Sequence, residues 1–191
     1  MVPVGRDPLP DRVVTALPDR LTERLRALGA VPATAGLDVR ADAGGVTVEA
    51  EQERFRGPGV DHGGVVSVRV AATGTVSVHA NLPTDRMSTS ALDRGDAAGR
   101  IARALRLAHG LHVVDADRVA LAAGLGPLLM VAEMDPALLA AGAGSSRTMK
   151  MADSVRVVPD ESVNLDALLG ATAELADGLA ARLLDGFRKS R

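Results

Sequence analysis

Cysteine, tryptophan and tyrosine are absent from this chain of 191 residues, and Phe55 and Phe187 are its only phenyl rings. Without cysteine there is no disulfide framework, no thiolate nucleophile and no cysteine-ligated metal. Without aromatic platforms, recognition of single-stranded nucleic acid by base stacking is disfavoured. Lysine is nearly missing too, with Lys150 and Lys189 alone, so arginine carries most of the positive charge. That bias reads either as the codon preference of a GC-rich genome or as selection for phosphate binding. The net charge of −2 supplies no global pull toward nucleic acid or a membrane surface. The longest apolar run, Val119–Ala132, contains Gly124, Gly126 and Pro127 and is too short to span a bilayer. The first residues, MVPVGRDPLPDR, have no apolar signal segment. The expectation is a cytoplasmic protein with no membrane partner and nucleic acid as an improbable one.

Hydrophobic residues make up 47% of the chain, ample for one core, and the length suits a single domain. The clearest local pattern is Val65–Pro83, VVSVRVAATGTVSVHANLP. Valines alternate with polar residues on both sides of a turn, which is the period of a half-buried strand. A three-residue loop, Ala72-Thr73-Gly74, pairs Val70 with Val76, Val68 with Val78 and Val66 with Ala80. A two-residue loop would put the valines on opposite faces, so the longer one is expected. Leu37–Ala50 reads as a second hairpin, pairing Ala41 with Val46, Val39 with Val48 and Leu37 with Ala50 around Ala43-Gly44. Together they predict four antiparallel strands in sequence order.

Helices should cover the valine face. Asp11–Leu28 carries a stripe of Val14, Leu17, Leu21, Leu25 and Leu28, with Pro18 predicting a kink or a break and Gly29 a C-terminal cap. Asp96 is placed to cap a helix running to His109, with Ile101, Ala104, Leu105 and Ala108 inward and Gly110 ending it. The stripe from Leu165 through Leu168, Leu169, Thr172, Leu175, Ala176, Leu179 and Leu183 to Phe187 predicts a long last helix, with Asn164 as its cap. Residues 112–134 fit either a third hairpin, pairing Leu121 with Met130 and Val119 with Ala132, or a buried helix broken at Gly126-Pro127. The turn residues favour strands. A short helix is expected at Ala137–Ala141 and a last strand at Ser154–Val158. Segments 1–10, 52–64, 84–95 and 141–153 read as extended or flexible. The fold class is therefore α+β, an antiparallel sheet of four to seven strands covered by an N-terminal, a middle and a long C-terminal helix.

Chemistry-bearing residues are few. Asp61-His62 could pair as a base and its orienting group, or simply solvate a glycine-rich loop. His109 and His112 lack the spacing and glutamate of a zinc protease helix. Asp115, Asp117, Glu133 and Asp135 would meet at the open end of a 112–134 hairpin and could hold magnesium or calcium, or else sit at strand ends. Gly142, Gly144, Ser145 and Ser146 ahead of Lys150 lack the Gly-Lys-Ser/Thr of a phosphate loop. Arg100, Arg103 and Arg106, with Arg94 and Arg118 near, could form a face for an anion or an acidic partner, or a solvated helix surface. Phe55, Met87, Met130, Met134, Met149 and Met151 could supply an adaptable contact surface, or plain core.

The order of elements resembles the type III secretion chaperone-like superfamily, whose bacterial relatives also occur outside secretion systems. The resemblance runs through LRALGA, GVTVEAE, VVSVRV, TVSVHANLP, AAGRIARALRLAHGL, RVALAAGLGPLLMVAEMDP and SVNLDALLGATAELADGLAARLL. Four strands rather than three precede the middle helix, and the stretch 141–153 is additional. The resemblance implies a homodimer without catalytic activity that binds another polypeptide along apolar surfaces. With no complete catalytic set, no enzyme activity and no cofactor or metal is expected. The expected function is a chaperone- or adaptor-like protein-binding module. The alternatives are a structural subunit of a larger assembly, such as a phage-like or secretion machine, and an enzyme or ligand-binding domain using the carboxylates or the arginines.

Overall fold

The computed structural model describes residues 1–31, 36–50, 64–84, 89–113, 116–126, 128–140, 149–152, 154–158 and 161–190. In chain order the elements are β1 (Val2–Pro3), α1 (Asp11–Ala27), β2 (Leu37–Asp42), β3 (Gly45–Ala50), β4 (Val65–Ala71), β5 (Val76–Ala80), β6 (Thr89–Leu92) and α2 (Arg94–Gly110). There follow β7 (Arg118–Ala120), β8 (Ala123–Leu125), β9 (Leu128–Glu133), α3 (Pro136–Ala140), β10 (Met149–Ala152), β11 (Val155–Val157), β12 (Ser162–Asn164) and α4 (Leu168–Lys189). The fold is α+β. Its strands are shared among four sheets: β2-β3-β4-β5, β1-β7-β12, β10-β9-β6 and β11-β8. All pairings are antiparallel except β6 with β9.

The four-stranded sheet follows the valine alternation. Ala41 faces Val46, Val39 faces Val48 and Leu37 faces Ala50, as the sequence predicts. In the second hairpin Val70 faces Val76 and Val68 faces Val78, but Ala80 faces Val65 rather than Val66, across a register shift between Val65 and Ser67. Burial explains the difference. Val68, Val70 and Val76 are fully enclosed, whereas Val65 and Val66 are half-buried and His79 and Ala80 exposed. A register is enforced where one face must stay dry and relaxes where it need not. β3 starts at a backbone contact that only glycine tolerates. Gly45 has φ of +138°, and a Cβ there would lie 2.1 Å from the Val70 carbonyl oxygen.

Leu17, Leu21 and Leu25 of α1 seal the sheet over β2 and β3. The helix runs through Pro18 as one element instead of breaking there. An interior proline costs about 3 kcal/mol; three leucines at most 2% exposed hold the stripe in place against it. Gly29, at φ +63°, closes the helix: its N–H bonds to Arg26 O and that of Ala30 to Leu25 O, the paired bonds of a Schellman cap. The lead-in 1–10 is tied down rather than loose. Val4 N–H reaches Arg118 O, Leu9 N–H reaches Ala72 O, and Val76 N–H reaches Met1 O.

Helix α2 begins one turn earlier than expected. Asp93 is its cap, accepting from Asp96 N–H at 3.0 Å. Part of the polar stretch before it, Thr89–Leu92, is a fully buried strand, β6. Its polar side chains are short enough to be satisfied locally, with Ser90 Oγ 3.1 Å from Thr84 Oγ1. α2 then divides the interior. Ala97 and Leu105 join a core with Val119, Val131, Leu179 and Phe187. Leu107 and Ala108 join a second core with Leu17, Leu21, Val46 and Val70.

Residues 118–133 are strands, as the turn residues favoured, but not a hairpin. β7 pairs with β1 and β12, β8 with β11, and β9 with β6 and β10. The segment is interrupted at Leu121-Ala122 and at Gly126, so each short piece joins a different sheet. Met149–Ala152, inside the stretch read as flexible, is strand β10, and β12 follows the strand expected to be last. α4 packs on α2, β8 and β11. Asn164 caps a turn just ahead of it, accepting from Asp166 N–H at 2.8 Å, so the helix starts at Leu168. Leu169, assigned to the buried stripe, is exposed.

Gly45→Ala is expected to destabilise the fold by about 3 kcal/mol or more, because the new methyl collides with the backbone of β4. Gly29→Ala meets open space and should lose only about 1 kcal/mol, through its left-handed φ. Urea denaturation of both variants checks the order; equal losses would contradict it.

Candidate functional site

The middle-helix arginines do not form a common face. Arg100 turns inward, its side chain 11% exposed. Its Nε donates to Asp96 Oδ2 at 2.5 Å and its Nη1 to the Asn81 carbonyl at 3.0 Å. Arg103 and Arg106 are exposed. Arg94 forks onto Asp177 of α4, with Nε 3.0 Å from Oδ1 and Nη2 2.5 Å from Oδ2. That bond first, and the charge of Arg94 second, hold the Asp177 carboxyl below its ordinary range. Arg118 donates to Ser162 Oγ and to its carbonyl, bracing β7 against β12.

Of the four carboxylates that a 112–134 hairpin would have brought together, the three described ones, Asp117, Glu133 and Asp135, do not gather into one site. Glu133 binds Arg188 of α4, which is why that guanidinium is held above its ordinary pKa. Asp135 Oδ1 accepts from Ala137 N–H and starts α3. The Asp117 carbonyl accepts from Leu165 N–H. Asp115 lies outside the described residues, and among those described no three His, Asp or Glu side chains gather as metal ligands would. The cause is topological: Asp117 precedes β7 and Glu133 ends β9, strands of different sheets.

His109, in the last turn of α2, and His112, just past its end, meet edge to face with ring centroids 5.9 Å apart, His112 at φ +51°. Beside them is a cleft of about 60 Å³ lined by Leu17, Arg20, Leu111 and His112 among others, room for about two waters. A larger groove of about 340 Å³ lies between the lead-in, at Pro3, Arg6, Asp7 and Leu9, and the turn at Thr73-Gly74. Met134 is core, packed with Ala91 and Ala132. Asp61, His62, Phe55, Met87 and the segment 142–146 fall outside the described residues, as do the side chains of Met149, Lys150 and Met151.

The sequence reading names no candidate site residue on β2, although its four strands in sequence order already place that strand at one end of the four-stranded sheet. β2 is one of its two edges, with β5 the other, and every residue from Asp38 to Asp42 is exposed. Asp38, Arg40 and Asp42 alternate in charge on the polar face. Arg40 Nη2 lies 2.6 Å from Asp38 Oδ2 and 3.2 Å from Glu49 Oε2. On the other face Val39 is 37% exposed at the rim of the valine core. The signal was present in LDVRAD and in the predicted order of the strands; the structure adds how exposed the strand is.

Arg100→Ala is expected to cost about 1–3 kcal/mol, from charge-assisted bonds lost in a half-buried site. Arg103→Ala and Arg106→Ala should each stay within about 0.5 kcal/mol of the parent. Thermal or urea unfolding distinguishes these. Because the folded pKa of Asp177 is lowered, its contribution is present above the unfolded carboxyl value and is lost as acid carries the pH through the folded one. A carboxyl NMR titration should place its midpoint below that of an unpaired aspartate, and Arg94→Ala should raise it. An unmoved midpoint would contradict the pairing.

Among the described residues, no helix is long and apolar enough to cross a membrane. Compared with protein-family models, curated proteins and solved structures, the chain matches none.

Proposed function

We propose that this chain is a non-catalytic protein-binding module, chaperone- or adaptor-like, that acts as a homodimer. The carrying observation is the exposed edge of β2, which no other described strand covers. An edge strand offers a row of backbone N–H and C=O groups to another extended chain, with side chains on both faces to select it. The charged groups elsewhere support the same reading. Arg94, Arg100, Glu133 and Arg188 are engaged in pairs that brace the fold. The resemblance of the element order to that of the type III secretion chaperone-like superfamily points the same way.

Size-exclusion chromatography with light scattering should give twice the chain mass. Immobilised protein should capture a polypeptide that still binds when purified separately. A strict monomer that retains no partner would overturn the proposal.

A further inference from the structure

The two-fold partner can be specified from the backbone. We infer that β2 pairs antiparallel with β2 of a second copy about an axis through Val39, so that Asp38 of each copy faces Arg40 of the other and the two sheets become one. This rests on the homodimer proposed above and names its interface.

The direction of the free hydrogen-bonding groups comes first. Ala72 N–H donates to Gly44 O at 2.9 Å. In an antiparallel ladder the direction alternates along the strand, so Gly44, Val46 and Val48 point their backbone groups to β4. Gly45, Thr47 and Glu49 then point to β2, where they face Asp42, Arg40 and Asp38. Leu37, Val39 and Ala41 are left with N–H and C=O directed away from the sheet. A second strand must use these three residues.

The charges select the register. With the axis on Val39, Leu37 meets the second copy's Ala41, Val39 meets Val39, and both polar pairs are Asp38 with Arg40. All three outward residues bond, giving about six backbone hydrogen bonds. Moving the axis to Arg40 sets Arg40 against Arg40 and Asp38 against Asp42. Moving it to Asp38 sets Asp38 against Asp38. Each of these also loses one outward pair. Opposite charges directly across strands stabilise and like charges destabilise, so the register with the most bonds is also the one with complementary charge. On the far face the two exposed Val39 side chains cover each other, extending the apolar surface under each α1. The interface is self-complementary, as a two-fold contact must be.

Four variants test this, each first shown by circular dichroism and melting to be folded. Asp38→Arg and Arg40→Asp alone place like charges across the axis, and each should weaken the dimer about tenfold or more. An equimolar mixture of the two puts two cations opposite two carboxylates and should recover a dimer, now mixed, as native mass spectrometry would read. The chain has no cysteine, so Val39→Cys is a clean reporter. Directly bonded partners have Cα atoms about 5.5 Å apart, within disulfide range, and mild oxidation should link the copies. Ala41→Cys, about 14 Å from its counterpart in this register, should not link. A wild-type monomer at high-micromolar concentration overturns the inference. So does a dimer indifferent to both charge reversals, or one in which Ala41→Cys links and Val39→Cys does not. A monomer that still captures a purified partner would leave the protein-binding reading standing. A dimer in this register that binds nothing else would do the reverse.

Discussion

Helix α2 is buried on two flanks, and the rest of the arrangement follows from that constraint. One flank carries Ala97 and Leu105 into the core beneath α4, and the other carries Leu107 and Ala108 into the core beneath the four-stranded sheet. Small residues let both sides approach. A helix enclosed in this way keeps only a narrow solvent strip. Residues three apart step around a helix by about 60°, so three arginines at that spacing cannot share a narrow strip. Arg103 and Arg106 occupy it, and Arg100 falls at its margin, where Asp96 and the Asn81 carbonyl receive its charge.

The same division accounts for what could be read from the amino acids and what could not. The hairpins of β2–β3 and β4–β5 were legible because period two with one dry face leaves a single acceptable register. The helices were legible from their leucine stripes. Strands β1, β8, β11 and β12 were not assigned partners, and β7 was set against β9 when it pairs with β1 and β12, because two or three residues hold no periodicity. Their partners are chosen by which gaps the cores leave. β6 was hidden by its hydroxyls: Thr89 and Ser90 resemble loop residues until their burial is known. Asp117 and Glu133 were brought together only by an assumed hairpin, which is gone once β7 and β9 enter separate sheets. The alternation Asp38, Val39, Arg40 was legible as a strand, and four strands in sequence order already set it at one end of the sheet; how exposed that end is was not legible.

Charge on an edge strand usually serves as a guard. An uncharged strand that docked against β2 would have to desolvate Asp38, Arg40 and Asp42 without compensation. The mixed signs make that guard selective, since a strand with the complementary sequence of charges supplies what a neutral one lacks. Specificity of this kind resides in side chains on one face, while the bonds themselves come from the backbone. The Arg40 contacts to Asp38 and Glu49 keep the charges ordered in the single chain, so little rearrangement separates it from a paired state.

The lead-in strand has a kinetic consequence. Val2 and Pro3 pair with Ala120 and Val119, while Met1 bonds to Val76, so one short piece of backbone stitches the β7 sheet to the four-stranded sheet. Contacts that close such long loops are entropically slow to form, and a two-residue strand contributes little until both surfaces exist. The stitch therefore closes after the two halves have condensed and is among the first places to fray. Amide exchange along this seam would then run ahead of exchange in either core, making the N-terminal strand a latch on a body that has already taken shape.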